Sequence, residues 1–127
     1  MTIQETAALL QTMDRVLLLT HVRPDGDTIG SAAALCRALR DLGKTAYLLP
    51  NPGITETYAC YAAPYWAEEG FEPDFVVSVD IAALGLLPEN AKKYASRIDL
   101  AIDHHPSNEG FAKESCVLAE MAACGEI

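Results

Sequence analysis

"VLLLTHVRPDGDTIGS", Val16–Ser31, joins two patterns whose combination decides the fold. Val16–Leu19 is an unbroken apolar run of strand length. Runs of this kind, without polar alternation, belong to strands covered on both faces of a parallel sheet. The segment after it holds His21, Asp25 and Asp27 with Pro24 and Gly26, so metal-capable side chains crowd the mouth of a buried strand. Pro24 restricts the chain path and Gly26 permits a tight turn, which lets the two carboxylates converge with His21.

Outward from this point, helical and strand patterns alternate. "TIQE" from Thr2 is a capping box, and Ile3, Leu9, Leu10 and Met13 give the segment after it one apolar face. "GSAAALCRALRDLG" carries apolar residues at helical spacing and ends on Gly43, and "KTAYLL" reads as a second strand. "PNPGITETYACYAAPYWAEEGFEP" reads as a turn, a short helix and an irregular connection. "FVVSVD" ends in Asp80, "PENAKKYAS" suggests a short helix with Pro88 in its first turn, and "IDLAID" ends in Asp103. A final helix is expected from about Ser115. The alternation predicts one α/β domain with an open, mostly parallel sheet and helices on both faces.

The chain has 127 residues, half of them hydrophobic, enough for one modest core. Its net charge is -9, with 18 acidic residues against 9 Lys and Arg, and the basic residues do not cluster. That excludes wrapping a long nucleic acid duplex, which requires a positive face. Much of the acidic excess is expected to be solubilising surface. Cys36, Cys60, Cys116 and Cys124 form no CxxC pair, three of them fall in segments read as helix, and free thiols are expected. The amino terminus lacks a basic region before an apolar run, and no apolar run approaches a membrane span. A cytoplasmic protein is the expectation, and a homodimer is compatible with these features.

In an open parallel sheet the ligand crevice lies beyond the carboxyl ends of the strands. His21, Asp80 and Asp103 each follow or end a buried strand, so all three should line that edge. Gly30 and Ser31 are expected to open the following helix, whose free backbone N–H groups would favour a phosphate. Taken singly, each element has a plainer reading: Asp27 or Thr28 as a helix cap, Asp80 as the start of a turn, His104 and His105 as surface residues. Three strand ends delivering ligand types to one edge favour a metal site. Mixed imidazole and carboxylate ligands suit manganese, iron, cobalt or zinc, with manganese favoured by the oxygen-rich balance. Two ions about 3.5–4 Å apart would account for the number of ligands, with Asp80 as the candidate bridge.

"HVRPDGDTIGS", a strand-terminal "VD" and "DHH" resemble, in order, the first three motifs of the DHH phosphoesterase family. The first motif is more similar to the nanoRNase and pAp-phosphatase branch than to RecJ-type exonucleases or family-II pyrophosphatases. The resemblance implies a Rossmann-like domain in which His21 and Asp25 hold one manganese, Asp27 and His104 hold the other, and Asp80 bridges them. It gives His105 to the substrate phosphate and Asp103 to orienting the neighbouring histidine. The implied reaction is hydrolysis of a phosphate ester by water activated between the two ions. Implied substrates are short oligoribonucleotides or 3′-phosphoadenosine 5′-phosphate. Inorganic pyrophosphate and cyclic dinucleotides are the alternatives, and a non-catalytic metal-binding or interaction module is a further one.

The family pattern also implies a fourth motif with another metal-binding aspartate, and a second domain with a basic, glycine-rich substrate-binding segment. Neither occurs in residues 1–127. The expectation is therefore the N-terminal catalytic part of a longer protein, with weak or absent activity by itself.

Overall fold

The computed structural model describes all 127 residues. Strands β1 (Val16–Leu19), β2 (Ala46–Leu48), β3 (Phe75–Val79), β4 (Leu100–Asp103) and β5 (Glu114–Val117) form one sheet in the order β2-β1-β3-β4-β5. Every pairing in it is parallel. All four residues of β1 are buried, as a central strand covered on both sides requires.

Because successive side chains on a strand face opposite ways, β1 feeds two cores. Val16 and Leu18 pack with Leu10, Met13, Ile29, Ala32, Leu39 and Val77, beneath α1 (Ile3–Thr12), α2 (Gly26–Asp41) and α3 (Glu56–Ala62). Leu17 and Leu19 pack on the other face with Val76, Leu87, Ala91, Tyr94 and Ile98. That second cover is a run of 3-10 turns, Glu89–Arg97, rather than an α-helix. Burying each of these large aliphatic side chains contributes about 1.5–3 kcal/mol.

Local chemistry sets the helix ends. Thr2 Oγ1 accepts from Glu5 N at 3.1 Å while Glu5 Oε2 accepts from Thr2 N at 2.8 Å, the reciprocal pair that the "TIQE" pattern predicts. Leu10 and Met13 are buried as expected, but Ile3 stays 37% exposed. Gly43, at φ +81°, turns the chain out of α2.

Three expectations need correction. Helix α2 starts at Gly26, with Asp25 as its N-cap, instead of near Gly30. Asp25 Oδ1 accepts from Thr28 N at 3.1 Å, so a residue expected only as a metal ligand also fixes the helix start. Ser115 and Cys116 lie in strand β5, not in a helix. A helix was expected from about Ser115, but β4 offers an open edge, and pairing from Leu100↔Glu114 to Asp103↔Val117 fixes a strand there. Cys116 is therefore a buried strand residue. As expected, all four cysteines are unpaired.

The strand order places a topological switch point between β1 and β3, since the chain runs from β1 outward to β2 and then returns to β1's other side. Open α/β sheets bind ligands at the carboxyl ends of such neighbouring strands.

Candidate metal centre

His21 lies two residues beyond β1 and is held by both backbone and ring. Buried Asn51 donates from Nδ2 to His21 O at 2.8 Å and to Thr20 Oγ1 at 2.9 Å. The Val22 carbonyl lies 2.6 Å from His21 Nδ1. A carbonyl only accepts, so the proton sits on Nδ1 and leaves Nε2 to face the crevice. That Nε2 is 3.7 Å from Asp80 Oδ2 and 3.6 Å from Asp25 Oδ1. The Asp80 carboxylate raises the pKa of His21 above its ordinary value; burial opposes this, and the Val22 carbonyl and Asp25 add to it.

Asp80 is the centre of the arrangement. It follows β3 directly, is 3% exposed, and sits at φ +63°, a left-handed conformation that costs a non-glycine residue of order 1–3 kcal/mol. Its Oδ1 is buried and accepts no hydrogen bond. That oxygen lies 3.4 Å from His104 Nε2 and 3.7 Å from His105 Nδ1. A buried carboxylate oxygen without a donor is costly unless a cation completes it, so the orphaned oxygen fits a metal ion.

His21, Asp25 and Asp80 present ligand atoms within 4.8 Å of one another, and so do Asp80, His104 and His105. The two groups share Asp80, the geometry a bridging carboxylate requires. His105 enters the second group through Nδ1, but that atom is 2.7 Å from Asp103 Oδ1. A carboxylate there holds the Nδ1 proton and leaves only Nε2 open. Asp27 is the better partner for His104, with Oδ2 3.6 Å from His104 Nε2.

Asp27 is itself fixed from a distant part of the chain. Its Oδ2 accepts from Cys124 N and its Oδ1 from Gly125 N, both at 2.9 Å, while Ser31 Oγ donates to Oδ1 at 3.2 Å. His104 Nδ1 lies 3.2 Å from the Met121 carbonyl, which leaves Nε2 facing Asp27 and Asp80. Burial pushes the Cys124 thiol up to about 12, so it stays protonated beside these acids.

Asp103 is fully buried and fully used. Its Oδ1 accepts from His104 N at 2.8 Å, and its Oδ2 accepts from Asn108 Nδ2 at 2.7 Å. The imidazole it orients is that of His105, whereas His104 is oriented by Met121. Gly30 and Ser31 fall in the second turn of α2, where N–H groups belong to the helix's own ladder, so neither opens the helix toward a phosphate. Ser31 contributes its hydroxyl to Asp27 instead.

The sequence did not single out Asn51, Asn108 or the amides of Cys124 and Gly125, and it offered Thr28 only as a helix cap. Thr28 Oγ1 donates to the Val79 carbonyl at 2.8 Å and ties α2 to the strand that carries Asp80. Their signals were faint, since Asn51 sits in "PNPG" and Asn108 in "PSNEG", both of which read as ordinary turns. An apolar cavity of about 330 Å³ between α1, α2 and the carboxyl-terminal residues reaches Ser31 and Gly125 but no histidine. The chemistry sits at the open sheet edge instead.

An open parallel α/β domain thus carries, at its switch point, two histidine–carboxylate groups joined by one aspartate, a donor set that suits a metal ion. The model of the DHH family, N-terminal domain, matches residues 15–125, and the chain belongs to that family. Over 37 residues the chain is 54% identical to the bifunctional oligoribonuclease and PAP phosphatase NrnA of Thermus thermophilus, covering 29% of this chain and 11% of that protein. An exopolyphosphatase-related protein of Bacteroides fragilis superposes with a TM-score of 0.71 at 25% identity, over 98% of this chain and 40% of that one. The chain thus spans less than half the length of each. No helix is long and apolar enough to cross a membrane.

Proposed function

We propose that this chain carries the two-metal centre of a phosphoesterase that hydrolyses short oligoribonucleotides or 3′-phosphoadenosine 5′-phosphate, with manganese as the metal. The observation that carries the reading is Asp80, a buried carboxylate shared by two ligand groups and left with an oxygen that no protein donor satisfies. His21 and Asp25 would hold one ion, Asp27 and His104 the other, and Asp80 both. Bound manganese supplies charge neutralisation at phosphate oxygens and a water of lowered pKa.

The chain's own residues do the rest. Asp103 keeps the Nδ1 proton of His105 in place, so His105 presents Nε2, on a 41% exposed side chain, to a phosphate oxygen. Asn51 and Thr28 fix the two loops between which the reaction would occur. A substrate of this kind is a small nucleotide or a short single strand, since the net charge of -9 offers no surface for a long duplex. The similarity of 37 residues to an oligoribonuclease and PAP phosphatase supports the same substrates.

Manganese titration followed by assay of the loaded protein tests the proposal. The panel is a dinucleotide, 3′-phosphoadenosine 5′-phosphate, pyrophosphate and cyclic di-AMP. Preference for the first two is expected, in binding where residues 1–127 alone turn over weakly and in turnover for a longer chain that contains them. Preference for pyrophosphate or the cyclic dinucleotide would refute the substrate assignment, and failure to take up manganese would refute the centre itself.

A further inference from the structure

Arg23 stands apart from every other basic residue in the molecule. Arg15 donates to the Glu72 carbonyl and lies near Asp74; Arg37 faces Asp41; Arg40 donates to the Ala46 and Pro64 carbonyls between the rings of Tyr47 and Tyr65. Lys44 donates to the Gln11 carbonyl, Lys92 pairs with Glu89, and Lys93 lies over Tyr94. Arg97 donates to the Pro73 carbonyl, and Lys113 pairs with Asp99. Arg23 is exposed and has no hydrogen-bond, carboxylate or ring partner. It is nevertheless two residues from His21 and two from Asp25, in the loop that carries three of the candidate metal ligands, His21, Asp25 and Asp27.

The backbone explains how an arginine stays free there. Val22 N donates to the Leu86 carbonyl at 2.8 Å, the Val22 carbonyl engages His21, and Pro24 is buried. Arg23, between these anchored residues, is held at φ +47°, a left-handed conformation unfavourable for a non-glycine residue. Strain of this kind persists where the surroundings over-determine it, and it concentrates at ligand sites. The loop is thus rigid on both sides of a cation whose charge nothing in the protein neutralises.

Resting on the phosphoesterase reading above, we propose that Arg23 binds a second phosphate of the substrate, the one not being cleaved, and so selects substrates that carry a terminal phosphate near the scissile one. A guanidinium suits this task because its planar fork of donors matches two phosphate oxygens at once. The metal centre would take the reacting phosphate, and the chain's one unengaged cation takes its neighbour.

The test uses two slowly hydrolysed probes, a diadenylate with a phosphorothioate linkage bearing a 5′-phosphate, and the same dinucleotide without it. Each is titrated calorimetrically into manganese-loaded wild-type, Arg23→Ala and Arg23→Lys proteins. The expected result is a loss of about tenfold or more for the 5′-phosphorylated probe in R23A, as for a charge-assisted contact. The unphosphorylated probe should change by less than about threefold, R23K should recover part of the loss, and manganese affinity should stay unaltered. Equal affinity of R23A and wild type for the phosphorylated probe, or equal losses for both probes, overturns the role of Arg23 alone. A manganese-loaded wild-type protein that binds neither probe overturns the phosphoesterase reading, and this inference with it.

Discussion

Replacing Asp80 with Asn separates the cost of the centre from its use. The side chain is 3% exposed, its Oδ1 receives no donor, and its contacts to His21, His104 and His105 span 3.4–3.7 Å. Without metal and at a pH above the His21 transition, no donor completes Oδ1, so burying this carboxylate is a net cost. An unsatisfied buried polar group costs about 1–3 kcal/mol, and a charged one more. Asn keeps the shape and tolerates the left-handed backbone at φ +63°, so the substitution adds little strain. Metal-free D80N should therefore unfold at the wild-type temperature or up to several degrees above it, at roughly 3–5 °C per kcal/mol for a domain of this size. Manganese at about 100 times its dissociation constant should stabilise the wild type by about 2.7 kcal/mol and leave D80N unmoved. Thermal unfolding by circular dichroism, with and without manganese, reads both arms. A D80N protein that loses more than about 1 kcal/mol without metal, or that keeps the wild-type gain with it, refutes the reasoning.

Asp103→Asn puts an amide where three donors converge. One of them must lose its acceptor in either orientation of the new side chain, so D103N should lose about 1–3 kcal/mol in chemical denaturation; an unchanged midpoint would count against the network. The raised pKa of His21 means that its favourable contribution to metal-free stability is complete below 6.5, its ordinary value, and is lost as pH rises through the higher folded-state value. An NMR titration of the His21 ring should give a midpoint above 6.5 that falls in D80N, and manganese affinity should rise with pH over the same window. A midpoint at or below 6.5 would contradict the Asp80 contact. Gly125→Pro removes the amide that holds Asp27 Oδ1 and should weaken one manganese site while sparing the other. Gly125→Ala serves as its control, because an added Cβ would meet only ordinary contacts at 3.4 Å to Ser31 Oγ and 3.5 Å to Asp27 Oδ1. Isothermal titration showing two equal sites in both variants would dismiss the clamp.

Much of this architecture was legible because the residues that build it act locally. Four of the five strands are short, mainly apolar runs, and three of these end in, or lead straight to, a histidine or aspartate whose placement follows from strand direction alone. Strand β5 was not legible, since "ESCV" gains its conformation only from the exposed edge of β4. The start of α2 was misplaced because Asp25 serves as cap and candidate ligand together, and a sequence does not reveal that one carboxylate can do both. The orientation of His105 by Asp103, the grip of Asn51 on His21 and the clamp on Asp27 depend on contacts between residues 2 to 98 positions apart, formed by side chains and amides that look unremarkable singly.

The clamp on Asp27 has a consequence for how the protein is made. Its donors, the amides of Cys124 and Gly125, lie 97 and 98 residues downstream. A ribosome delivers the first strand, its loop and the helix behind it long before those donors emerge. During synthesis the carboxylate of Asp27 is therefore left loose, and the pocket reaches its finished shape only once the segment after β5 has docked. Cation capture at Asp27 should consequently follow the emergence of Cys124 and Gly125 from the ribosome and not that of the first motif.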